Sequence, residues 1–233
     1  MENIFDDFNS IDWRTWDTFY AFDTLGRYWI ENERIIAEAA NIEELNNKPN
    51  WPPKSDEEII EFQHEAKIAR HLHDEIMVPI FRYSTVVMLY SLFESELLRL
   101  KQNVEKSSGK SPVDSKELKG GPTEQILRFL EAFYSINLKS INEFSKIRDI
   151  QKIRDCIVHC LGDVSISRDK DYLIKHSAVR SDLDIGVGYP IEISESYIRD
   201  GIELMWGFFI KTFKLCGWPV KDEWQRKQWA KTL

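Results

Sequence analysis

Cysteine is scarce in this sequence, and what there is does not pair up. The chain has three, Cys156, Cys160 and Cys216. An odd count, with two of the three one helical turn apart, argues against a disulfide framework. An excess of basic charge is missing too. Lys and Arg number 31 against 39 Asp and Glu, a formal net charge of −8, so bulk charge is not how this chain would hold nucleic acid. Long apolar runs are lacking. The longest, residues 84–93 and 204–210, fall well short of the roughly 20 apolar residues that a membrane helix needs. The first residues are acidic, with Glu2, Asp6 and Asp7, unlike a secretory signal. A protein of the cytoplasm with no membrane contact is expected. Phosphate-cradling glycine patterns are absent as well. Gly109-Lys110-Ser111 has no upstream glycine at the required spacing and no strand before it, and no dinucleotide-binding glycine fingerprint occurs.

What is present is helical. Hydrophobic residues make up 42% and charged residues 30% of 233, enough to bury one large core behind a solvated surface. Residues 1–46 are rich in aromatics: Trp13, Trp16, Phe19, Tyr20, Phe22, Tyr28 and Trp29. Such a segment must bury itself against something. It reads as two helices, the second from about Ile30 to Leu45. Pro49, Pro52 and Pro53 then break the chain. Ser55 with Glu58 three residues on reads as a capping box, opening a long helix that Pro79 should kink or break near Val78. Val86, Leu89, Tyr90, Phe93, Leu97 and Leu100 form an apolar face with Glu94 at its edge. A polar, Gly- and Pro-bearing loop covers 106–122, and a helix spans about Thr123 to Tyr134. Another runs from near Leu138 to Gly162. Residues 172–175 and 190–193 look like two short strands of a hairpin. Ser194 should cap a last helix with the stripe Ile198, Ile202, Met205, Phe209 and Phe213, stopped by Gly217 and Pro219.

The chemistry concentrates at the end of the helix that stops at Gly162. At about 100° per residue, Ile147, Ile150, Ile153, Ile157, Cys160 and Leu161 share one side, and Arg148, Lys152, Asp155 and His159 share the other. Asp155 and His159 are four apart and therefore neighbours, so the carboxylate could fix the imidazole tautomer. Arg154 lies on the stripe's edge, five before His159. Lys139, Lys146, Arg148, Lys152 and Arg154 make this helix locally basic, offset in part by Asp149 and Asp155. The plain alternative is that Arg and His near a helix C-terminus merely satisfy its dipole and free carbonyls. A second histidine group, His64, His71 and His73 with Glu65, Asp74 and Glu75, has no complete metal-ligand spacing and reads as a solvated face.

The run Arg154-Asp155-Cys156-Ile157-Val158-His159, closed by Gly162, resembles the signature of the HEPN superfamily: Arg, a polar residue, about three more, then His near a helix end. The stretch 89–98, with Ser91, Phe93 and Glu94, resembles that family's helix in which a Glu follows a Ser and an aromatic residue. The resemblance covers roughly residues 56–216. It implies a mainly α fold: an up-and-down helical bundle with a small β-hairpin and an N-terminal helical extension. The expected divisions are the aromatic-rich extension at 1–48, the HEPN-like domain at 55–217 and a tail at 218–233.

The activity implied by the resemblance is a metal-independent endoribonuclease working in a homodimer cleft. Toxins and antiviral defence effectors are frequent in the family, so an antitoxin or other regulatory partner is implied as well. Arg154 would stabilise the scissile phosphate and His159 would act as general acid or base. Asp155 would orient His159, Glu94 would brace Arg154, and Arg148 and Lys152 would bind RNA. No metal and no cofactor are implied. Two departures stand out: Asp155 occupies the place where many such nucleases have Asn, and Leu161 replaces a polar residue before the closing Gly. The alternative is a non-catalytic helical module that binds a nucleotide or a protein.

Overall fold

The computed structural model describes residues 12–46, 55–108 and 119–220. Seven α-helices lie among them: α1 (Trp13–Asn46), α2 (Asp56–His71), α3 (Val78–Ser108), α4 (Pro122–Tyr134), α5 (Asn142–Cys160), α6 (Lys170–Ser177) and α7 (Glu195–Leu215). Two strands, β1 (Leu183–Ile185) and β2 (Ile191–Ile193), form an antiparallel hairpin between α6 and α7. The fold is mainly α with a small β-hairpin, as the sequence implies.

Several boundaries differ from expectation, each for a physical reason. The N-terminal segment is one helix, not two. From Gly26 to Asn46 no proline interrupts it, and one interior glycine costs only about 1 kcal/mol. The proline-rich break at 47–54, the core of the polar loop at 109–118 and the tail from 221 lie outside the described residues. Ser55 caps α2 as expected, accepting from the Glu58 amide at 3.2 Å. Pro79 does not break the helix. A π-helical turn, Leu72–Met77, joins α2 to α3 just before it, and the widened turn accommodates the ring and its missing N–H. The motif helix starts later than expected, at Asn142, behind a 3-10 turn at Leu138–Ser140.

The hairpin has a different first strand. Residues 172–175 lie in α6, where Leu173 alone is buried and Tyr172 stacks on His176 at 5.5 Å, one turn away. A short apolar run has no period that separates helix from strand. The strand facing Ile191–Ile193 is Leu183–Ile185, in the register Leu183↔Ile193, Asp184↔Glu192, Ile185↔Ile191. Leu183, Ile191 and Ile193 are buried, and Asp184 and Glu192 point outward, the alternation of a sheet with one wet face.

The helical run Asp56–Ser107 reaches a mean hydropathy of 1.5 over its most apolar 18 residues, 28% of them buried. By length and composition alone it could cross a membrane, a weak indication, since core helices of soluble proteins have the same length and composition. Arg82 and Tyr83 in this run make the polar contacts described below.

The chain forms two compact units, and these do not follow the division at 48 and 217. One takes its described residues from Met1–Gly26, Met88–Ile153 and Arg199–Leu233, the other from Arg27–Val87 and Arg154–Ile198. The first half of α1 is thus part of a core, not an extension. In the first unit that core is aromatic. Phe19 meets Trp206 edge-on at 4.9 Å, Phe22 meets Phe209 at 5.6 Å, and Phe93 meets Phe208 and Phe209 at 5.6 and 5.7 Å. The expected stripe of α7, Ile198 to Phe213, is buried throughout. Glu96, also buried, accepts from Thr18 Oγ1 at 2.6 Å and from Arg99 at 2.5 Å. A carboxylate this far from water needs both partners.

In the second unit Arg82 fixes three pieces of chain. It forms a two-pronged bond with Glu33 of α1, both contacts 3.0 Å, and donates to the Ile193 carbonyl of β2 at 3.0 Å. Such forked pairing is directional as well as strong. Trp29 and Ile36 of α1 are buried in the same unit.

Replacing Phe209 by Ala should cost about 3–5 kcal/mol, because its fully buried ring would leave a cavity among four other rings. Urea unfolding measures this; a loss under 1 kcal/mol would mean the aromatic core is not packed as described.

Candidate active site

The end of α5 is anchored from inside and open outside. Ile153, Cys156 and Ile157 are buried. Val158 and His159, on the next positions, are exposed. His159 makes no side-chain hydrogen bond or ion pair with any described residue. Leu161 does not extend the core stripe: it is 87% exposed, because the helix has stopped. Its φ of 54° is left-handed, and Gly162 follows at 83°.

The stop at Gly162 is built by close approach. A Cβ on this glycine would lie 2.3 Å from the Tyr83 hydroxyl oxygen and 2.6 Å from two of its ring carbons. The Tyr83 hydroxyl donates to the Ile191 carbonyl at 2.5 Å, and the Ile191 amide donates to the Gly162 carbonyl at 2.9 Å. The Val164 amide donates to the Tyr189 carbonyl, also at 2.9 Å. The hairpin therefore straps the end of α5, with the Tyr83 ring set against the glycine. Burial pushes the Tyr83 phenol up to about 12, so at neutral pH it keeps the proton that it donates to Ile191.

Arg154, Asp155 and a residue from beyond the helix form one charged chain. Arg154 Nη1 donates to Asp155 Oδ1 at 2.9 Å. Asp155 Oδ2 accepts from Arg168 Nη2 at 2.7 Å, and Arg168 Nε donates to Asp169 Oδ2 at 3.3 Å. Asp155 therefore spends both oxygens on guanidinium groups, and no hydrogen bond joins it to His159, contrary to the expected orienting role. The helical spacing makes that contact available, but the two guanidinium groups of Arg154 and Arg168 occupy the carboxylate oxygens instead.

Arg168 sits between a 3-10 turn (Val164–Ile166) and α6. Asp163 shapes that turn by accepting from the Ser165 amide at 2.7 Å and its hydroxyl at 2.6 Å. Sequence reasoning missed both Arg168 and Tyr83. Neither stands at a helical interval from the motif; the only hint of Arg168 was a basic residue in the polar segment just after the terminating glycine.

The remaining candidates are placed as follows. Glu94 belongs to the first unit and accepts from Thr123 Oγ1 at 2.9 Å; Arg154 belongs to the second. Arg148, exposed, and Lys152, half-buried, lie in the stretch of α5 assigned to the first unit. The second histidine group disperses. His71 pairs with Glu75 at 2.9 Å on the surface, whereas His73 is buried, with its ring nitrogens 2.7 Å from Asp74 and 3.0 Å from the Ile36 carbonyl. That corrects the reading of a wholly solvated face. Among the described residues no three His, Cys, Asp or Glu side chains are grouped to hold a metal ion.

Chemically, the helix end offers an exposed imidazole and, from a backbone position about 7.5 Å back along the axis, a guanidinium set by a carboxylate. The first can exchange a proton with a bound group, and the second can bind an oxyanion. The thiol of Cys156 is no nucleophile here, since burial pushes it up to about 11 against the opposing hydrogen bond of Ser167. No protein-family model, curated protein or solved structure matches the chain.

Two predictions test this local geometry. Gly162→Ala should lower stability by about 1–3 kcal/mol in urea unfolding, since it adds left-handed strain to a collision with Tyr83; unchanged stability would refute the strapped stop. At pH 8 a thiol reagent should modify Cys156 and Cys216 only slowly in the native protein, because burial raises both thiols, to about 11 and about 12. Rapid labelling of all three cysteines without denaturant would contradict the packing.

Proposed function

We propose that the protein is a metal-independent endoribonuclease of the HEPN type, cleaving RNA in the cleft of a homodimer in the cytoplasm. The observation that carries this reading is the exposed, unengaged His159 on the same helix end as Arg154, whose guanidinium is held by Asp155. An acid–base residue must reach its substrate, and His159 is open to it.

The reaction needs three things. A base removes the proton of the ribose 2′-hydroxyl, and the freed oxygen attacks the adjacent phosphorus. An acid protonates the 5′-oxygen as its bond to phosphorus breaks. A cation steadies the charge that gathers on the phosphate oxygens meanwhile. His159 serves as acid or base, since an imidazole carries one nitrogen that can donate a proton and one that can accept it. Arg154 binds the phosphate oxygens. One His cannot easily be both groups at once, and two copies related by a twofold axis supply the second. The products are a 2′,3′-cyclic phosphate and a 5′-hydroxyl end. A role as toxin or antiviral effector, with an antitoxin or regulatory partner, belongs to the same reading. Arg148 and Lys152 add positive charge on the same helix for the RNA backbone.

A second reading has its own support. Asp155 places a negative charge beside Arg154, and the chain carries a net charge of −8. Both suit a non-catalytic helical module that binds a nucleotide or a protein. In that case Arg154 and His159 can be replaced without functional loss.

Purified wild-type and His159→Ala protein incubated with total RNA and tRNA in EDTA separate the two. Cleavage by wild type and at least a 100-fold loss in the variant, with the oligomeric state unchanged, is the expected outcome. Equal cleavage by both would remove His159 from the chemistry.

A further inference from the structure

Arg168 is poorly explained as a structural residue. Its side chain is 78% exposed, and surface ion pairs of this kind contribute little to stability. Yet its position is defined from two sides. Asp155, 14% exposed, takes Nη2 at 2.7 Å, and Asp169, 22% exposed, takes Nε at 3.3 Å. Two largely covered carboxylates thus hold one edge of the guanidinium. The Nη1 group makes no hydrogen bond with any described residue, and both its N–H bonds remain for a ligand. A guanidinium presents its donors in a fixed plane, so orienting one edge orients the rest.

The same Asp155 carboxylate holds Arg154 on its other oxygen. One anionic side chain therefore spaces two arginines, one on the last turns of α5 and one on the loop that follows. A neutral amide at this position would have a single acceptor oxygen and no charge to hold the pair. This gives the aspartate, where the resembling family often has asparagine, a specific use.

We infer that Arg154 and Arg168, bridged by Asp155, form a two-arginine site for the phosphodiester backbone of single-stranded RNA, with Arg168 contacting a phosphate directly. The inference rests on reading the end of α5 as an RNA site. It adds a residue outside the motif and assigns Asp155 to the arginines and not to His159. Lys170, whose ammonium lies 5.2 Å from the Tyr189 ring centre, is a second cation of this segment, next to Asp169 and Asp171.

The test is RNA binding by the full-length protein, read apart from cleavage. A short fluorescein-labelled 2′-O-methyl RNA, which has no free 2′-hydroxyl and cannot be cleaved by this chemistry, is titrated across about 50–200 mM salt. Arg168→Ala should weaken binding on the order of tenfold, the loss of about one charge-assisted hydrogen bond. The slope of log affinity against log salt should fall by about 0.7, the value for one phosphate contact on a single strand. Arg168→Lys should keep the slope, because the charge stays. Arg34→Ala, which removes an exposed arginine paired with Glu31 and Glu38 on α1, should change neither.

In an Asp155→Asn background the Arg168→Ala effect should shrink at least threefold, since the bridge that positions the arginine is gone. An unchanged affinity and slope in Arg168→Ala would overturn the site, as would absence of RNA binding by wild type. An equal Arg168→Ala loss in both backgrounds would overturn the bridging role of Asp155. Cleavage is assayed in parallel. Arg168-dependent binding without any cleavage sinks the nuclease reading and leaves the phosphate site standing. Cleavage that is indifferent to Arg168 does the reverse.

Discussion

The arrangement depends on where one helix stops. α5 ends against the ring of Tyr83, at a glycine that has neither room for a side chain nor the backbone angle that one prefers. Because the helix stops there, the chain turns at Leu161 and runs into hydrogen bonds with the hairpin through the Gly162 carbonyl and the Val164 amide. Tyr83 donates to the same hairpin. These few contacts tie α3, α5 and β2 together within one unit. They also place the segment carrying Arg168 beside the last turns of α5. A longer helix would carry His159 into its interior turns and take the arginine elsewhere. The exposed imidazole and the bridged arginines are both consequences of that one termination.

Several arginines of the second unit are held by carboxylates. Arg82 is matched to Glu33, Arg180 to Asp182, and Arg154 and Arg168 to Asp155. Asp182 is held below the usual carboxylate range, with the hydrogen bond from Arg180 as the leading cause, so its contribution is present at neutral pH and fades as pH falls through the acid range. Against that background Arg168 stands apart. Its partners are largely covered while it is not, and it offers unpaired donors outward. A net negative chain can still present a local site for an anion when the cations are fixed and the neutralising carboxylates face the other way.

Much of this was legible in the sequence, for reasons that can be named. The stripe of α7 and the burial of Ile147, Ile150 and Ile153 follow from helical periodicity, and the caps at Ser55 and Ser194 follow from side chains that accept the next free amides. The arginine and histidine of the motif stood out because helix ends are marked by glycine. What was not legible was long-range or short. The strand Leu183–Ile185 is too brief to show a period. The run at 172–175 has the apolar content of a strand and the local contacts of a helix. Leu161 fits the stripe by angle and leaves it because the helix has already ended. Asp155 has two neighbours to choose from, His159 by spacing and Arg168 by the fold, and only the fold decides between them. Glu94 and Thr123 meet across 29 positions of sequence with nothing local to announce it.

The central claim is that the end of α5 performs transesterification of RNA with protein side chains alone. The chemistry of the fragment ends tests it most directly. RNA incubated with the wild-type protein in EDTA should yield fragments with 2′,3′-cyclic phosphate and 5′-hydroxyl termini, read by mass spectrometry. Fragments ending in 3′-hydroxyl and 5′-phosphate would contradict the claim, because the attacking group is then not the ribose 2′-hydroxyl, and cleavage that vanishes with the chelator would contradict it, because a metal ion is then needed.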